Sequence, residues 1–255
     1  MNSPKHIMVT CYDATFAKLI AETGAVDSVL VGDSLGMVIQ GHDSTLSVSM
    51  DQIRYHVAAV ARGLHKAKVE KKPLLIADMP VDSYNTIDSA IQNAKSLISV
   101  GAEMVKVEGA VSDRVAALKK EGIAVCGHIG LTPQSIQDFK VQGKTELEAQ
   151  RLLREAKDLS NAGVDLLVLE MIPSSLAKKI TESISTPTVG IGAGVYTSGQ
   201  VLVLYDLLGL NPDFNPKFLK KFMNGAESVS HALKSYSDEV RAEVYPSEKN
   251  SFKDV

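Results

Sequence analysis

Three segments of the chain repeat one grammar. Gly24-Ala-Val-Asp-Ser-Val-Leu-Val-Gly-Asp33, Gly101-Ala-Glu-Met-Val-Lys-Val-Glu108 and Gly163-Val-Asp-Leu-Leu-Val-Leu-Glu170 each open on a glycine, run through a short apolar strand and close on an acid. Leu74-Leu-Ile-Ala-Asp78 ends in the same way. Such repetition marks one supersecondary unit used again and again, in which a helix ends, a glycine turns the chain and a buried strand follows. Asp33 falls nine positions after Gly24, while Glu108 and Glu170 fall seven after Gly101 and Gly163. The parity is shared. Alternate side chains of a strand lie on one face, so all three acids can point to the same side.

The rest of the chain has the same rhythm. Strands are predicted at residues 6–12, 28–33, 73–79, 104–108, 124–128, 166–171, 188–192 and 200–206. Most are continuous runs of Val, Ile and Leu, the pattern of strands covered on both faces. Amphipathic stretches separate them. Ser49-Met-Asp-Gln52 reads as a capping box opening a helix toward Leu64. A second helix starts after Lys144 or Thr145 and runs to Ala162, where Gly163 stops it. Eight strands with intervening helices in 255 residues, and no linker, predict one closed (β/α)8 TIM barrel spanning residues 1–255, with a C-terminal helical extension. The Lys-rich residues 65–72 read as a surface loop inside that domain.

Composition removes several functions. Apolar residues make up 45% and charged residues 22%, with a net charge of −3 spread over both signs, so no broad basic field would attract nucleic acid. Tryptophan is absent and aromatics are 5%, which leaves little for base stacking. The two cysteines, Cys11 and Cys126, match no zinc spacing and read as reduced, buried thiols of a cytoplasmic protein. No apolar run approaches a membrane span, and nothing near Met1 resembles a signal peptide.

Chemistry is concentrated where the strands end. In a parallel barrel the C-terminal strand ends share one mouth, where active sites are built. Asp33, Asp78, Glu108 and Glu170 all fall there. Any one of them alone reads as a helix cap or an ion-pair partner, but four at equivalent ends point to a hard divalent cation such as magnesium. Lys106 shares a strand face with Glu108. It can hold a substrate anion or stabilise an enolate, against the alternatives of a snorkelling lysine, an ion pair to Asp78 or Glu108, or a Schiff base. The hydroxyl of Ser34 can bind a carboxylate or simply stabilise its own turn. His128 faces the mouth or caps the next loop. Gly190-Ile-Gly-Ala-Gly194 is not a dinucleotide fingerprint; it can serve a phosphate site, tight packing or the close approach of a flat ligand.

With these residues in view, the chain resembles the ketopantoate hydroxymethyltransferase family. The matching segments are Thr10-Cys-Tyr-Asp13, Val31-Gly-Asp-Ser-Leu-Gly-Met37, Gln40-Gly-His-Asp-Ser-Thr45, Ala77-Asp-Met-Pro80, Val105-Lys-Val-Glu-Gly109, Cys126-Gly-His-Ile-Gly-Leu-Thr-Pro-Gln134, Lys140-Val-Gln-Gly143, Val168-Leu-Glu170, Gly190-Ile-Gly-Ala-Gly194 and Val244-Tyr-Pro-Ser247. The resemblance implies a barrel of the phosphoenolpyruvate/pyruvate-domain type. It implies transfer of a hydroxymethyl group from 5,10-methylenetetrahydrofolate to 3-methyl-2-oxobutanoate, giving 2-dehydropantoate on the route to pantothenate and coenzyme A. It implies Mg2+ held by Asp33, Asp78 and Glu108, substrate bound by Asp33, Ser34, Asp78 and Lys106, Glu170 as the proton acceptor in an enolate mechanism, and a homodecamer.

The chain departs from the family at three places. It begins later than many members, so a leading helix that closes the barrel's base is expected to be short or absent. Residues 65–72 form a longer stretch than usual. Gln137-Asp-Phe139 stands where many members carry a Gly-Gly-aromatic run. No acid of the site is lost. The rival readings are a metal-dependent C–C lyase acting on a 2-oxo acid or a phosphonate, a non-catalytic binding barrel, and more distantly a dehydrogenase.

Overall fold

In the computed structural model, which describes residues 4–135 and 140–253, eight parallel strands close into a barrel in chain order. β1 (His6–Thr10) leads to α1 (Ala14–Thr23) and β2 (Ser28–Val31) to α2 (Leu35–Val38) and α3 (Met50–Lys66). β3 (Leu74–Asp78) precedes α4 (Ile87–Ile98), β4 (Met104–Glu108) precedes α5 (Ser112–Lys120), and β5 (Ala124–Gly130) precedes α6 (Glu146–Ala162). β6 (Leu166–Glu170) is followed by α7 (Ser174–Ser183), then β7 (Thr188–Ile191), β8 (Gly199–Leu202), α8 (Leu204–Leu207) and α9 (Val229–Arg241). The expected TIM barrel is therefore present, with one local departure: residues 192–198 link β7 to β8 without a helix. Gln200 pins that link by donating to Gly194 O at 2.9 Å. No helix among the described residues is long and apolar enough to cross a membrane.

Local sequence signals set the helix ends. Ser49 and Gln52 form the capping box of α3. Thr145 caps α6, and Gly163 ends it in the left-handed region, with φ 96° and a backbone N–H bonded to Leu159 O and Ser160 O. The eighth strand is a correction. The expected strand at 200–206 stops at Leu202, and Leu204–Leu207 turns into a short helix. Leu204 and Leu207 sit three apart and are both buried, a helical spacing that a short apolar run does not reveal by itself. Residues 6–12 and 28–33 likewise leave the sheet early, at Thr10 and Val31. Of residues 65–72, the first two belong to the end of α3, and Lys68, Glu70, Lys71 and Lys72 are exposed.

A second acid recurs in each repeat, just before the strand. Asp27 accepts from Ile7 N at 2.8 Å, Glu103 from Leu75 N at 3.0 Å and Asp165 from Val125 N at 2.8 Å. The backbone N–H of each acid donates in return to the carbonyl of that same partner, at 2.8 Å in all three cases. These reciprocal pairs hold neighbouring strands in register at the barrel's base.

The interior is layered. Met8, Leu30, Ile76, Met104, Cys126, Leu166, Val168, Val189 and Val201 form an apolar cluster inside the barrel, separate from the larger core between strands and helices. Side chains two positions further along a strand share its inward face. Ile76 is thus followed by Asp78, Met104 by Lys106 and Glu108, Cys126 by His128, and Val168 by Glu170. The barrel is filled from below by hydrocarbon and topped by ionisable groups.

Candidate active site

Strand register builds the site. Asp78 is paired with Lys106 across β3 and β4, and Glu108 with His128 across β4 and β5. Lys106 Nζ donates to Asp78 Oδ2 at 2.8 Å and to Glu108 Oε1 at 3.2 Å. His128 Nδ1 lies 3.0 Å from the same Glu108 oxygen. Its Nε2 stands 3.2 Å from Glu170 Oε2, in ion-pair range but without the alignment of a hydrogen bond. Asp78, Lys106, Glu108, His128 and Glu170 thus form an arc of alternating charge around the mouth. All but Glu170 are buried; its side chain keeps 18% exposure at the rim.

Asp33 joins this arc from outside the sheet. β2 ends at Val31, and Asp33 sits in the turn before α2, where its backbone N–H donates to Asp78 Oδ2 at 3.3 Å. One oxygen each from Asp33, Asp78 and Glu108 lies within 4.8 Å of the others. The three proposed ion ligands, which come from three different segments, are therefore gathered at one point. Ser34 stands beside them. It makes no cap bond to α2; its hydroxyl is 2.8 Å from Tyr12 Oη, and it lines the cleft.

The electrostatics follow from burial. Asp33 is pushed well above the ordinary carboxylate range by desolvation and by Asp78 beside it, with Lys106 only partly offsetting this. Burial raises Asp78 too, against the pull of Lys106. Burial also acts to raise Glu108, but Lys106 and His128 overturn it and hold the carboxyl at about 2. For His128 burial opposes the charge, yet Glu108 prevails and lifts it to about 9. Lys106 is held well above its usual range because Asp78, Glu108 and Asp33 outweigh desolvation. Lys106 is neither snorkelling nor paired with one acid alone: it is 4% exposed and bridges two.

A small hard dication fits this donor set. The ligands are all carboxylate oxygens, the choice of Mg2+. Asp78 Oδ1 is buried with no hydrogen-bond partner, so one lone-pair site already points at nothing. Two of the three carboxyls resist ionisation as they stand, and a cation between them would remove that resistance.

Several partners escaped the sequence reading. Gln134 Nε2 donates to Asp33 Oδ2 and to Met79 O, both at 3.0 Å, while its backbone N–H donates to Glu108 Oε2 at 3.1 Å. Tyr84 Oη donates to Gln134 Oε1 at 2.6 Å. Gln134 closes the Cys126–Gln134 motif, which was a signal; nothing in the sequence marks Tyr84. His128, left open between mouth and cap, faces the mouth. The glycines of Gly190–Gly194 answer to packing: a Cβ at Gly194 would run into Ser174, and one at Gly192 would meet Met171 Sδ at 3.1 Å. Cys11 and Cys126 are free, buried thiols. Gln137-Asp-Phe139 lies outside the described residues.

Above the arc opens a cleft of about 950 Å3, including space open to solvent. Its walls are mostly apolar, with Met37, Val38, Ile191, Phe214 and Phe218 among them, and Asp206 and Asn211 on one side.

The family model described as ketopantoate hydroxymethyltransferase matches residues 1–248. The 3-methyl-2-oxobutanoate hydroxymethyltransferase 2 of Hahella chejuensis is 48% identical over 98% of this chain and 94% of its own length. The 3-methyl-2-oxobutanoate hydroxymethyltransferase of Marinobacter nauticus is 47% identical over 96% and 92%. Among solved structures, a phosphoenolpyruvate phosphomutase from Streptomyces platensis subsp. rosaceus superposes with a TM-score of 0.60 at 13% identity, covering 82% of this chain and 80% of that one. This last likeness shows the barrel and nothing finer.

Proposed function

The chain belongs to the ketopantoate hydroxymethyltransferase family, and from that premise we propose that it transfers a hydroxymethyl group from 5,10-methylenetetrahydrofolate to 3-methyl-2-oxobutanoate, giving 2-dehydropantoate and tetrahydrofolate. The observation that carries the reading is the arc itself, with three clustered ion-ligand acids at one end and Glu170 at the other, 3.2 Å from His128.

Asp33, Asp78 and Glu108 would hold Mg2+. When bound, the ion supplies Lewis-acid polarisation of the keto oxygen, which makes the C3 proton more acidic. Lys106 and Ser34 bind the substrate's carboxylate end, Lys106 by charge and Ser34 by its hydroxyl. The ammonium of Lys106 also stabilises negative charge that develops on the keto oxygen. Gln134 keeps Asp33 and Glu108 aimed inward through its side chain and backbone. Glu170 takes the C3 proton, with His128 beside it to fix its orientation. The electron pair released at C3 forms the new bond to the donor's methylene carbon. The donor's two C–N bonds break, its two nitrogens take up the proton held by Glu170 and one from a water molecule as tetrahydrofolate leaves, and the remaining oxygen of that water becomes the product's hydroxyl. The apolar walls of the cleft keep bulk water from the carbanion.

The same reading makes the enzyme cytoplasmic and homodecameric, with residues 1–255 as a single domain; light scattering checks the assembly. The test of function is an assay in which 2-dehydropantoate forms only when Mg2+ and 5,10-methylenetetrahydrofolate are both present. Turnover of a 2-oxo acid or a phosphonate by C–C or C–P cleavage without any folate would overturn the proposal in favour of a lyase.

A further inference from the structure

One ionisable group in the cleft has no part in the arc. Asp206 lies on α8, just past the end of β8, and lines the cleft although it is only 6% exposed. Its carboxylate accepts from Asn211 Nδ2, at the long distance of 3.5 Å. Desolvation lifts its carboxyl to about 6, modestly offset by Asn211 and Lys221. Among the described residues no hydrogen bond or ion pair joins its side chain to the arc, so it forms a separate polar station. Tyr12 lies between the two, bonded to Ser34 at 2.8 Å and within the field of both Asp206 and Asp33.

A buried carboxylate with weak pairing is costly unless a ligand completes it. The surroundings state what that ligand must be. It has a flat or hydrophobic body, because the same cleft is lined by Met37, Val38, Phe214 and Phe218. It has two N–H donors side by side, because a carboxylate's two oxygens are satisfied best by a parallel pair.

We propose that Asp206 is the specificity determinant for the one-carbon donor: its carboxylate receives the ring N–H and exocyclic NH2 of a 2-amino-4-oxopyrimidine edge, while the Met37, Val38, Phe214 and Phe218 wall covers the face of the bicyclic ring. Asn211 orients the carboxylate. This rests on the donor being a reduced folate, as proposed above, and adds which part of it is read and by which residue. The two stations divide the reaction. The arc activates the acceptor, and Asp206 places the carrier so that its methylene carbon comes over C3.

The test separates these stations. Wild-type enzyme and Asp206→Asn are compared in two reactions with Mg2+ present: exchange of the C3 proton of 3-methyl-2-oxobutanoate in D2O, which needs no donor, and full transfer from 5,10-methylenetetrahydrofolate. Loss of a charged bidentate contact is expected to raise the donor KM and the tetrahydrofolate Kd of Asp206→Asn roughly 10–100-fold. Its exchange rate and its KM for the oxo acid stay within twofold of wild type. A donor KM within twofold of wild type overturns the assignment of Asp206. Exchange lost in step with transfer also overturns it, because the residue would then serve the acceptor site. Asp206→Glu, which keeps the charge but shifts it, recovers part of the donor affinity; recovery no better than Asp206→Asn counts against a direct carboxylate contact. If the wild type exchanges the proton but shows no tetrahydrofolate-dependent transfer, the folate donor itself is wrong, a result distinct from a normal Asp206→Asn.

Discussion

Gln134 donates a 3.0 Å hydrogen bond to Asp33 across 101 residues of chain. The contact ties the loop after β5 to the turn after β2, and a second bond from the same nitrogen reaches Met79 after β3. One amide therefore holds three segments of the mouth together, and it aims a carboxylate that no strand supports.

Gln134→Ala should weaken Mg2+ binding by about 10–100-fold, the usual effect of losing a group that orients a metal ligand. The fold should persist, since the barrel does not depend on this side chain. Titration calorimetry with Mg2+ and a far-ultraviolet circular dichroism spectrum check the two halves; unchanged Mg2+ affinity would remove Gln134 from this role.

Lys106→Met removes the cation that bridges Asp78 and Glu108. Breaking a buried pair in this way costs roughly 3–5 kcal/mol, because the partner charges are left uncompensated. Thermal unfolding should show a large fall in Tm, and added Mg2+ should recover part of it by supplying the missing positive charge. A Tm that Mg2+ leaves unmoved would separate the acids from the ion.

Glu170→Gln should slow C3 proton exchange by about 10^2–10^4-fold, the range for a lost general base. Binding of 3-methyl-2-oxobutanoate in the presence of Mg2+ should be largely retained. Proton NMR in D2O follows the exchange, and undiminished exchange assigns the base elsewhere.

Asp206 also predicts a pH dependence of stability. Its folded pKa of about 6 lies above the ordinary 3.8, so the folded state binds this proton more tightly than the unfolded chain does. Stability on its account is greatest below the unfolded value and falls as pH rises through about 6. Asp206→Asn should therefore melt higher than wild type at pH 7–8, and the difference should shrink as the pH is lowered toward 4. A constant difference across that range would show that the charge is not the cause.

Asp165→Ala tests the base of the barrel. It removes the bond to Val125 N and the pair with Lys119. Stability should fall by about 1 kcal/mol, as for one backbone-anchored hydrogen bond, with no change in kcat. Urea denaturation and steady-state assay measure the two.

The barrel was legible because its signals are local. Glycines at helix ends, capping residues and continuous Val/Ile/Leu runs act within a few positions of chain, and the helices from Ser49 and Thr145 begin where those residues are. Parity placed Lys106 and Glu108 on one face for the same reason. The eighth strand failed at Leu204–Leu207, where a contact to Thr10 from the far end of the chain supports a helical turn.

By itself, then, the order of residues determined the repeat, the inward face of each strand and the identity of the acids at the mouth, since these rest on backbone periodicity and near-neighbour sterics. Only the tertiary structure decided which charges meet. Closing the sheet sets Asp78 against Lys106 and Glu108 against His128, brings Gln134 to Asp33, and leaves Asp206 apart in the cleft wall. Coulomb forces and hydrogen bonds act through space over a few ångströms, and distance along the chain carries no record of that.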